Sequence, residues 1–210
     1  MIRYTRNEDT WNAATHAVGI VVGIVAAVLL YCRAADTWAV VGITLYAFGM
    51  LFSYVSSTIY HAWSHSDLKG RERWRQADHA AIYWHIAGSY APICLTALRP
   101  EAGWGWGLFA FVMTCAVVGT AVSIKGLREH SHVETICFCL MGLSVLVAFP
   151  VLLRCVETPV IAWLVAEGVS YIGGAVVYAF SPKRPYIHTI FHFLVLCGTI
   201  CHILAVWYAL

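Results

Sequence analysis

Charged side chains are scarce in this sequence. Thirteen of the 210 residues are Lys or Arg and eleven are Asp or Glu, which makes 11% of the chain charged, whereas soluble domains are roughly 25% charged. So few charges cannot cover a water-soluble globule of this length. This low charge content also excludes a disordered chain and a basic nucleic-acid-binding protein, so we expect no nucleic-acid partner. The eight cysteines include no Cys-x-x-Cys pair, which argues against a thiolate metal site and a disulfide miniprotein.

Long apolar runs fill most of the remaining sequence. Apolar residues make up 60% of the chain, and the mean hydropathy is +0.73. A helix needs about 20 apolar residues to cross a bilayer. Seven stretches reach this length: 12–32, 38–63, 77–98, 104–124, 133–153, 159–180 and 187–209. The sequence therefore predicts an all-α, polytopic membrane protein, a single domain (1–210) built as a seven-transmembrane helix bundle.

The basic residues are distributed unevenly between the two sides of the predicted bundle. With the N-terminus in the cytoplasm, ten Lys and Arg residues fall in cytoplasmic segments and three fall in outer loops: Arg33, Arg99 and Arg154. Such an excess of basic residues marks the cytoplasmic side of a membrane protein. We therefore expect a protein of the inner (plasma) membrane with a cytoplasmic N-terminus and an external C-terminus.

A few polar residues lie inside the predicted spans. Because polar side chains are costly in lipid, we expect these residues to have a function. His188 and His192 are four residues apart in the seventh span and share a helix face. His61 lies near the end of the second span, Ser57 one turn before it, and Asp78 at the start of the third span. Because successive spans alternate in direction, all five residues are expected at one depth, near the cytoplasmic side.

Two kinds of chemistry fit this convergence. Three neutral imidazoles with an open coordination position are typical of a catalytic zinc site, which predicts zinc on His61, His188 and His192. Asp78 would then orient a ligand or accept a proton, and Ser57 would hydrogen-bond to the reacting water or to a developing oxyanion. The alternative is a Ser-His-Asp triad of Ser57, His61 and Asp78, which leaves His188 and His192 unexplained.

The same residues lie in segments that resemble a known family. The segments are Thr-His-Ala-Val-Gly at 15–19, Ser-Ser-Thr-Ile-Tyr-His at 56–61, Ala-Asp-His-Ala-Ala-Ile-Tyr at 77–83, Gly-Ser-Tyr-Ala-Pro at 88–92 and Arg-Pro-Tyr-Ile-His-Thr-Ile-Phe-His at 184–192, followed by His202. They resemble the haemolysin III family, the bacterial branch of the progestin and adipoQ receptor family that includes the adiponectin receptors, over nearly the whole chain. One departure is Thr189, where many bacterial relatives are expected to carry an acidic residue.

The resemblance carries expectations of its own. It implies a seven-helix bundle with a cytoplasmic N-terminus and zinc held by His61, His188 and His192. Through the alkaline ceramidases of the wider superfamily, it also implies metal-dependent hydrolysis of lipid amides. Together with the residues, it favours a zinc-dependent intramembrane hydrolase of lipid amides or esters, with membrane lipids as partners. The alternative is a non-enzymatic sensor, receptor or haemolysin-type conduit in which zinc joins the second and seventh spans.

Other polar residues in the spans have less certain roles. His16 is close enough to the cytoplasmic end to support the metal site. His202 is roughly 20 Å along the helix from His188, too far to share its ion, and is expected to line a cavity or bond a neighbouring helix. Glu167, near the middle of the sixth span, must be protonated, paired or facing water. The candidate partners of Glu134 are Lys125, Arg128 and His132.

Overall fold

The chain forms helices and no strand in the part that the structure describes. The computed structural model describes residues 4–63, 65–125, 132–181 and 184–210. Its helices are α1 (Arg6–Arg33), α2 (Thr37–Ala62), α3 (Leu68–Leu95), α4 (Trp104–Ile124), α5 (His132–Leu143), α6 (Phe149–Cys155), α7 (Thr158–Phe180) and α8 (Ile187–Ala209), with a 3₁₀ turn at Ser144–Ala148 between α5 and α6. The prediction of an all-α protein is confirmed.

Six helical stretches among the described residues are long and apolar enough to cross a bilayer. They are α1, α2, α4, α7, α8 and the joined stretch Val133–Cys155. Large apolar side chains such as Val21, Val117 and Val169 are exposed along their outer faces. Exposed apolar surface of this extent is typical of protein in contact with lipid. The chain is a membrane protein with several apolar helices, as its composition predicts.

Helix α3, which includes most of the predicted third span, is not among those six. Its sequence mixes His, Asp and Ser with apolar residues, which lowers its hydropathy. The helix packs against α2, α4, α5 and α8, and Ala81, Ala87 and Ala91 have no exposed surface. Because α3 is largely enclosed by other helices, much of its polar surface faces protein rather than lipid.

Glycines allow α2 and α3 to approach backbone to backbone. A Cβ atom on Gly49 of α2 would overlap the carbonyl group of Trp84 in α3, and one on Gly88 of α3 would lie 2.7 Å from the Leu45 carbonyl oxygen in α2. Small residues at such crossings are how membrane helices pack closely. This contact fixes α3, which carries Asp78, against α2, which carries Ser57 and His61.

The fifth apolar stretch is not one continuous α-helix. The 3₁₀ turn interrupts it, and Tyr90 of α3 compensates for the interruption. The Tyr90 hydroxyl lies 2.6 Å from the Gly142 carbonyl oxygen and accepts a hydrogen bond from the Val145 amide at 3.1 Å. Free backbone groups within a bilayer need such partners, so α3 stabilises the break from inside the bundle.

The first turns of α1 and α8 are joined directly. Thr5 and Glu8 form a capping box at the start of α1, a pairing that satisfies otherwise free amides at a helix N-terminus. The second carboxylate oxygen of Glu8 accepts a hydrogen bond from the backbone amide of Tyr186 at 2.9 Å. Tyr186 has a positive φ of 59° immediately before α8 begins. This bond sets the start of α8, with its two histidines, beside the start of α1.

Candidate metal centre

Three histidines from two helices meet inside the bundle. His61 lies in the last turn of α2, and His188 and His192 lie in the first two turns of α8. One potential ligand atom from each ring lies within 4.8 Å of the others, and all three side chains are buried. The ring centroids are 4.5 to 5.2 Å apart. We call these residues the histidine cluster; it can hold a metal ion, as the sequence predicts.

A buried carboxylate orients His61. Asp9 Oδ1 lies 2.7 Å from His61 Nδ1. Since a carboxylate only accepts, Nδ1 carries the proton, and Nε2 keeps a lone pair. That Nε2 atom is buried and has no hydrogen-bond partner among the described residues. A buried, unpartnered nitrogen that faces other imidazoles fits a metal ligand, and a hydrogen bond on the opposite nitrogen is its usual support.

Helix α1 orients His192 in the same way. The backbone carbonyl oxygen of Asn12 lies 3.1 Å from His192 Nδ1, and Thr15 Oγ1 lies 3.3 Å from the same nitrogen. A carbonyl oxygen only accepts, so Nδ1 again carries the proton and Nε2 is left for a metal. Thr189 donates its hydroxyl proton to the Asn12 side-chain oxygen. Thr189, where an acidic residue is expected, thus fixes the α1 segment that supports His192.

His188 is held by packing rather than by a hydrogen bond. Its ring stacks on Tyr4 at a centroid distance of 4.9 Å and lies 5.7 Å from the ring of Tyr178. Its Nδ1 atom is buried without a hydrogen-bond partner in the described part of the chain. Two such nitrogens, on His61 and His188, make the cluster fit for a metal that prefers imidazole, such as zinc, copper, iron or nickel.

Asp9 is also part of a buried ion pair. Its Oδ2 atom lies 2.7 Å from Arg71 Nη2 and 2.9 Å from His65 Nε2. Arg71 is one of the basic residues that the sequence predicts on the cytoplasmic side, yet it is only 3% exposed and also donates to the backbone carbonyls of Tyr60 and Trp63. The ion pair therefore links α1 and α3 with the end of α2, where His61 lies.

The support from α1 was missed by the sequence analysis. The predicted first span begins at residue 12, which leaves Asp9 outside it, whereas the helix begins at Arg6. Asp9, Asn12 and Thr15 are spaced by three residues and therefore lie on one face of α1. All three are buried. The regular spacing of polar residues at the entrance of an apolar helix is the signal that could have identified them.

Ser57 and Asp78 lie on the wall of the same cavity as the histidine cluster. The cavity has a volume of about 400 Å³, and its lining includes both residues together with His188 and His192. Ser57 is 1% exposed, and its hydroxyl lies beside the Asp78 carboxylate. The Asp78 carboxylate is near enough to Ser57, His61 and His79 to interact with them electrostatically.

His16 packs on the cluster without joining it. Its ring stacks on that of His192 at a centroid distance of 3.6 Å and an interplanar angle of 14°. The set of mutually close ligand atoms contains His61, His188 and His192 but not His16. His16 therefore supports the orientation of the His192 ring through a face-to-face contact.

The two glutamates in the spans have histidine partners. Glu134 lies 2.6 Å from His79 Nδ1 and accepts a hydrogen bond from Ser123 at 2.7 Å. Of its predicted partners, Arg128 lies outside the described residues, as does the side chain of His132. Glu167 lies 2.8 Å from His202 Nδ1, which satisfies the expectation that a carboxylate at this depth is paired.

Part of the cavity wall is formed by apolar side chains that are also exposed. The cavity lining includes Leu143 at the end of α5, Leu146 in the 3₁₀ turn, and Val165 and Ile172 of α7. The same four side chains are exposed on the outer surface of the bundle. The cavity wall is therefore both apolar and exposed at this position.

The fold and the histidine cluster together define a helical membrane protein with an internal site suited to a metal ion. A model of the family described as "Haemolysin-III related" matches residues 4–203, so the chain belongs to the haemolysin III family, as the sequence motifs indicate. It is 33% identical over 204 residues to Hemolysin-3 of Bacillus cereus, covering 95% of this chain and 91% of that protein.

Two further relatives extend the comparison. The Hemolysin-3 homolog of Bacillus subtilis (strain 168) is 31% identical over 199 residues, which cover 93% of this chain and 91% of the relative. The monocyte to macrophage differentiation factor of Homo sapiens is 29% identical over 205 residues, with coverages of 95% and 83%. The family match over residues 4–203 therefore spans the segments that carry the histidine cluster.

Proposed function

We propose that this protein is a zinc-dependent hydrolase that acts on an amide or ester bond of a lipid inside the membrane. The observation that carries the proposal is the position of the histidine cluster: His188 and His192 lie on a cavity that also presents Asp78 and Ser57 and whose lining includes exposed apolar side chains. A lipid would then reach this site from the bilayer without crossing water.

Zinc is the metal that this donor set favours. Three neutral imidazoles with one position left open are the ligand set of catalytic zinc sites, whereas structural zinc sites usually have four protein ligands. No fourth His, Cys, Asp or Glu ligand joins the cluster among the described residues. When bound, zinc would supply Lewis acidity, which polarises a carbonyl group and makes water more acidic.

The chain's own residues would handle the proton and the developing charge. Hydrolysis adds water across the carbonyl carbon, breaks the bond to nitrogen or oxygen, and leaves a carboxylic acid and an amine or alcohol. Asp78 would accept a proton from the attacking water at its carboxylate and return it to the leaving group. The hydroxyl of Ser57, on the same cavity wall, would donate a hydrogen bond to the carbonyl oxygen as negative charge develops on it.

The proposed topology places this chemistry near the cytoplasmic face. We infer that α3 also crosses the membrane, since it is long enough and enclosed by neighbours, which brings the number of spans to seven. The excess of basic residues supports a cytoplasmic N-terminus, and with it a position in the inner membrane. The histidine cluster, near the start of α8 and the end of α2, would then lie at the depth of the inner leaflet.

A structural role for the metal is the second candidate. The cluster takes its ligands from α2 and α8 and its hydrogen-bond support from α1, so a metal ion would also hold three helices together. Two relatives are named hemolysins. In this alternative the protein would be a membrane sensor or conduit with no hydrolytic activity.

The substitution Asp78→Asn distinguishes the two candidates. If Asp78 handles the proton, the variant should keep its zinc and lose about 10²–10⁴-fold in the rate of lipid amide hydrolysis. The same exchange at the exposed Glu157, Glu157→Gln, is the control and should change neither property. Loss of zinc from Asp78→Asn would instead make Asp78 a ligand, which favours the structural role. An unchanged rate would refute the assignment of Asp78.

A further inference from the structure

The cavity has a second polar region, away from the histidine cluster. Glu167 of α7 and His202 of α8 face each other there at 2.8 Å. The ring centroid of Tyr46, from α2, lies 4.9 Å from that of His202 and 6.5 Å from that of His85, from α3. We call these four residues, each from a different helix, the mid-bundle polar cluster.

The mid-bundle polar cluster is well separated from the histidine cluster. In α8, His202 is ten residues beyond His192, which is roughly 15 Å along the helix axis. In α2, Tyr46 is fifteen residues before His61, which is roughly 22 Å. The cavity joins the two regions, since its lining includes His188 and His192 as well as Glu167 and His202.

Three polar atoms of the mid-bundle polar cluster have no protein partner. His85 Nε2, His202 Nε2 and the Tyr46 hydroxyl are buried without a hydrogen bond to any described residue. His85 is 7% exposed, His202 is 3% exposed and Tyr46 is fully buried. Buried polar groups almost always have a partner, because an unmade hydrogen bond is costly. The cluster is therefore arranged to receive a hydrogen-bonding group.

The surroundings define the chemistry of that group. Among the described residues, the only set of three metal-ligand atoms close to one another is the histidine cluster, so a second metal ion does not fit. The wall between the two polar regions includes apolar side chains, among them Ile86, Ile172 and Val195. The cavity thus suits a molecule with an apolar chain, a polar group at one end, and a second polar group roughly 15 Å further along.

We propose that the mid-bundle polar cluster binds a hydroxyl group partway along the acyl chain of a lipid. The carbonyl group of the same lipid would lie at the histidine cluster. This inference rests on the proposed lipid-binding function of the cavity. With its Nδ1 proton held by the Glu167 carboxylate, His202 offers Nε2 as an acceptor for the hydroxyl proton. His85, which also lines the cavity and has an unpartnered Nε2, can form a hydrogen bond with the same oxygen. The protein would therefore select hydroxylated acyl chains over unsubstituted ones.

Direct binding tests this selection without relying on hydrolysis. The probes are three fatty acids of equal length: unsubstituted, with a mid-chain hydroxyl group, and with a terminal hydroxyl group. Each competes with a fluorescent fatty acid for the purified, zinc-loaded protein in detergent. The mid-chain hydroxy acid should bind about 2–10-fold more tightly than the other two, the effect of a typical hydrogen bond. Equal binding of all three would overturn the inference, because water alone would then satisfy the cluster.

Two variants test the residues. His85→Phe keeps an aromatic ring but removes its nitrogens, and should lower the preference for the mid-chain hydroxy acid by about 2–10-fold. Glu167→Leu combined with His202→Phe should abolish it, and replacing both partners avoids leaving a buried charge unpaired. Binding of the unsubstituted acid should stay within a few-fold of wild type in both. A preference unchanged in both variants would refute the site.

The binding result is independent of catalysis. If no lipid is hydrolysed but the mid-chain preference is found and is lost in the variants, the inference stands and the proposed hydrolase fails. If unsubstituted lipid amides are hydrolysed and no preference is found, the inference fails and the hydrolase stands.

Discussion

Asp9 offers the sharpest test of how the histidine cluster is organised, because it contacts a proposed ligand and a buried cation at once. Its two carboxylate oxygens lie 2.7 Å from His61 Nδ1 and 2.7 Å from Arg71 Nη2. Asp9→Asn removes the negative charge while keeping the size of the side chain. Losing a hydrogen-bond partner of a metal ligand typically weakens metal binding 10–100-fold, so we expect that loss of zinc affinity.

The same substitution also leaves Arg71 without its counterion. The side chains of Asp9 and Arg71 are both 3% exposed. Removing one partner of a buried ion pair costs about 3–5 kcal/mol of stability. Arg71→Gln is the matched control, because it breaks the same pair but leaves the Asp9 carboxylate on His61. It should destabilise the protein similarly while keeping zinc affinity near that of wild type.

Zinc affinity is measured by competition with a chelator of known affinity, and stability by thermal unfolding in detergent with and without zinc. Asp9→Asn should lose affinity in excess of what Arg71→Gln loses. Equal losses in the two variants would show that the effect comes from general loosening of α1, and the proposed orientation of His61 by Asp9 would be refuted.

Two further predictions concern the bundle. A reporter active only in the cytoplasm and fused after Leu210 should be silent, since seven spans with a cytoplasmic N-terminus end outside; cytoplasmic activity there would contradict the count or the orientation. Gly49→Ala should lower thermal stability by about 1–3 kcal/mol because its Cβ would overlap the Trp84 carbonyl group of α3. Gly173→Ala in α7 is the control, since nothing lies within 4 Å of its Cβ position; equal stability of the two variants would contradict the close contact.

The residues of the histidine cluster could be predicted because their signals are regular. His188 and His192 are one helical turn apart, and alternation of the spans puts His61 at the same end of the bundle. Hydropathy alone was sufficient to predict most of the helices. It underestimates α3 because hydropathy averages over all faces of a helix, whereas α3 is enclosed by neighbours that satisfy its polar side chains.

The support of the cluster could not be predicted from helix patterns. The contact of Asp9 with His61 joins residues 52 positions apart, and that of Asn12 with His192 joins residues 180 positions apart. The first depends on how α1 packs against α2, and the second on how α1 packs against α8, which is set in part by the hydrogen bond between Glu8 and the Tyr186 amide. The break in the fifth apolar stretch is similar, because the hydroxyl that stabilises it comes from Tyr90 in another helix.

The metal content of the purified protein tests the central claim most directly. Elemental mass spectrometry of wild-type protein purified without added metal or chelator should find a single zinc ion per chain, as expected for a site with three histidine ligands. His188→Ala and His192→Ala should each lose it, while His79→Gln, which changes a histidine bonded to Glu134 outside the cluster, should keep it. Full zinc content in His188→Ala and His192→Ala, or no metal in the wild-type protein, would contradict the assignment of the histidine cluster as a zinc site.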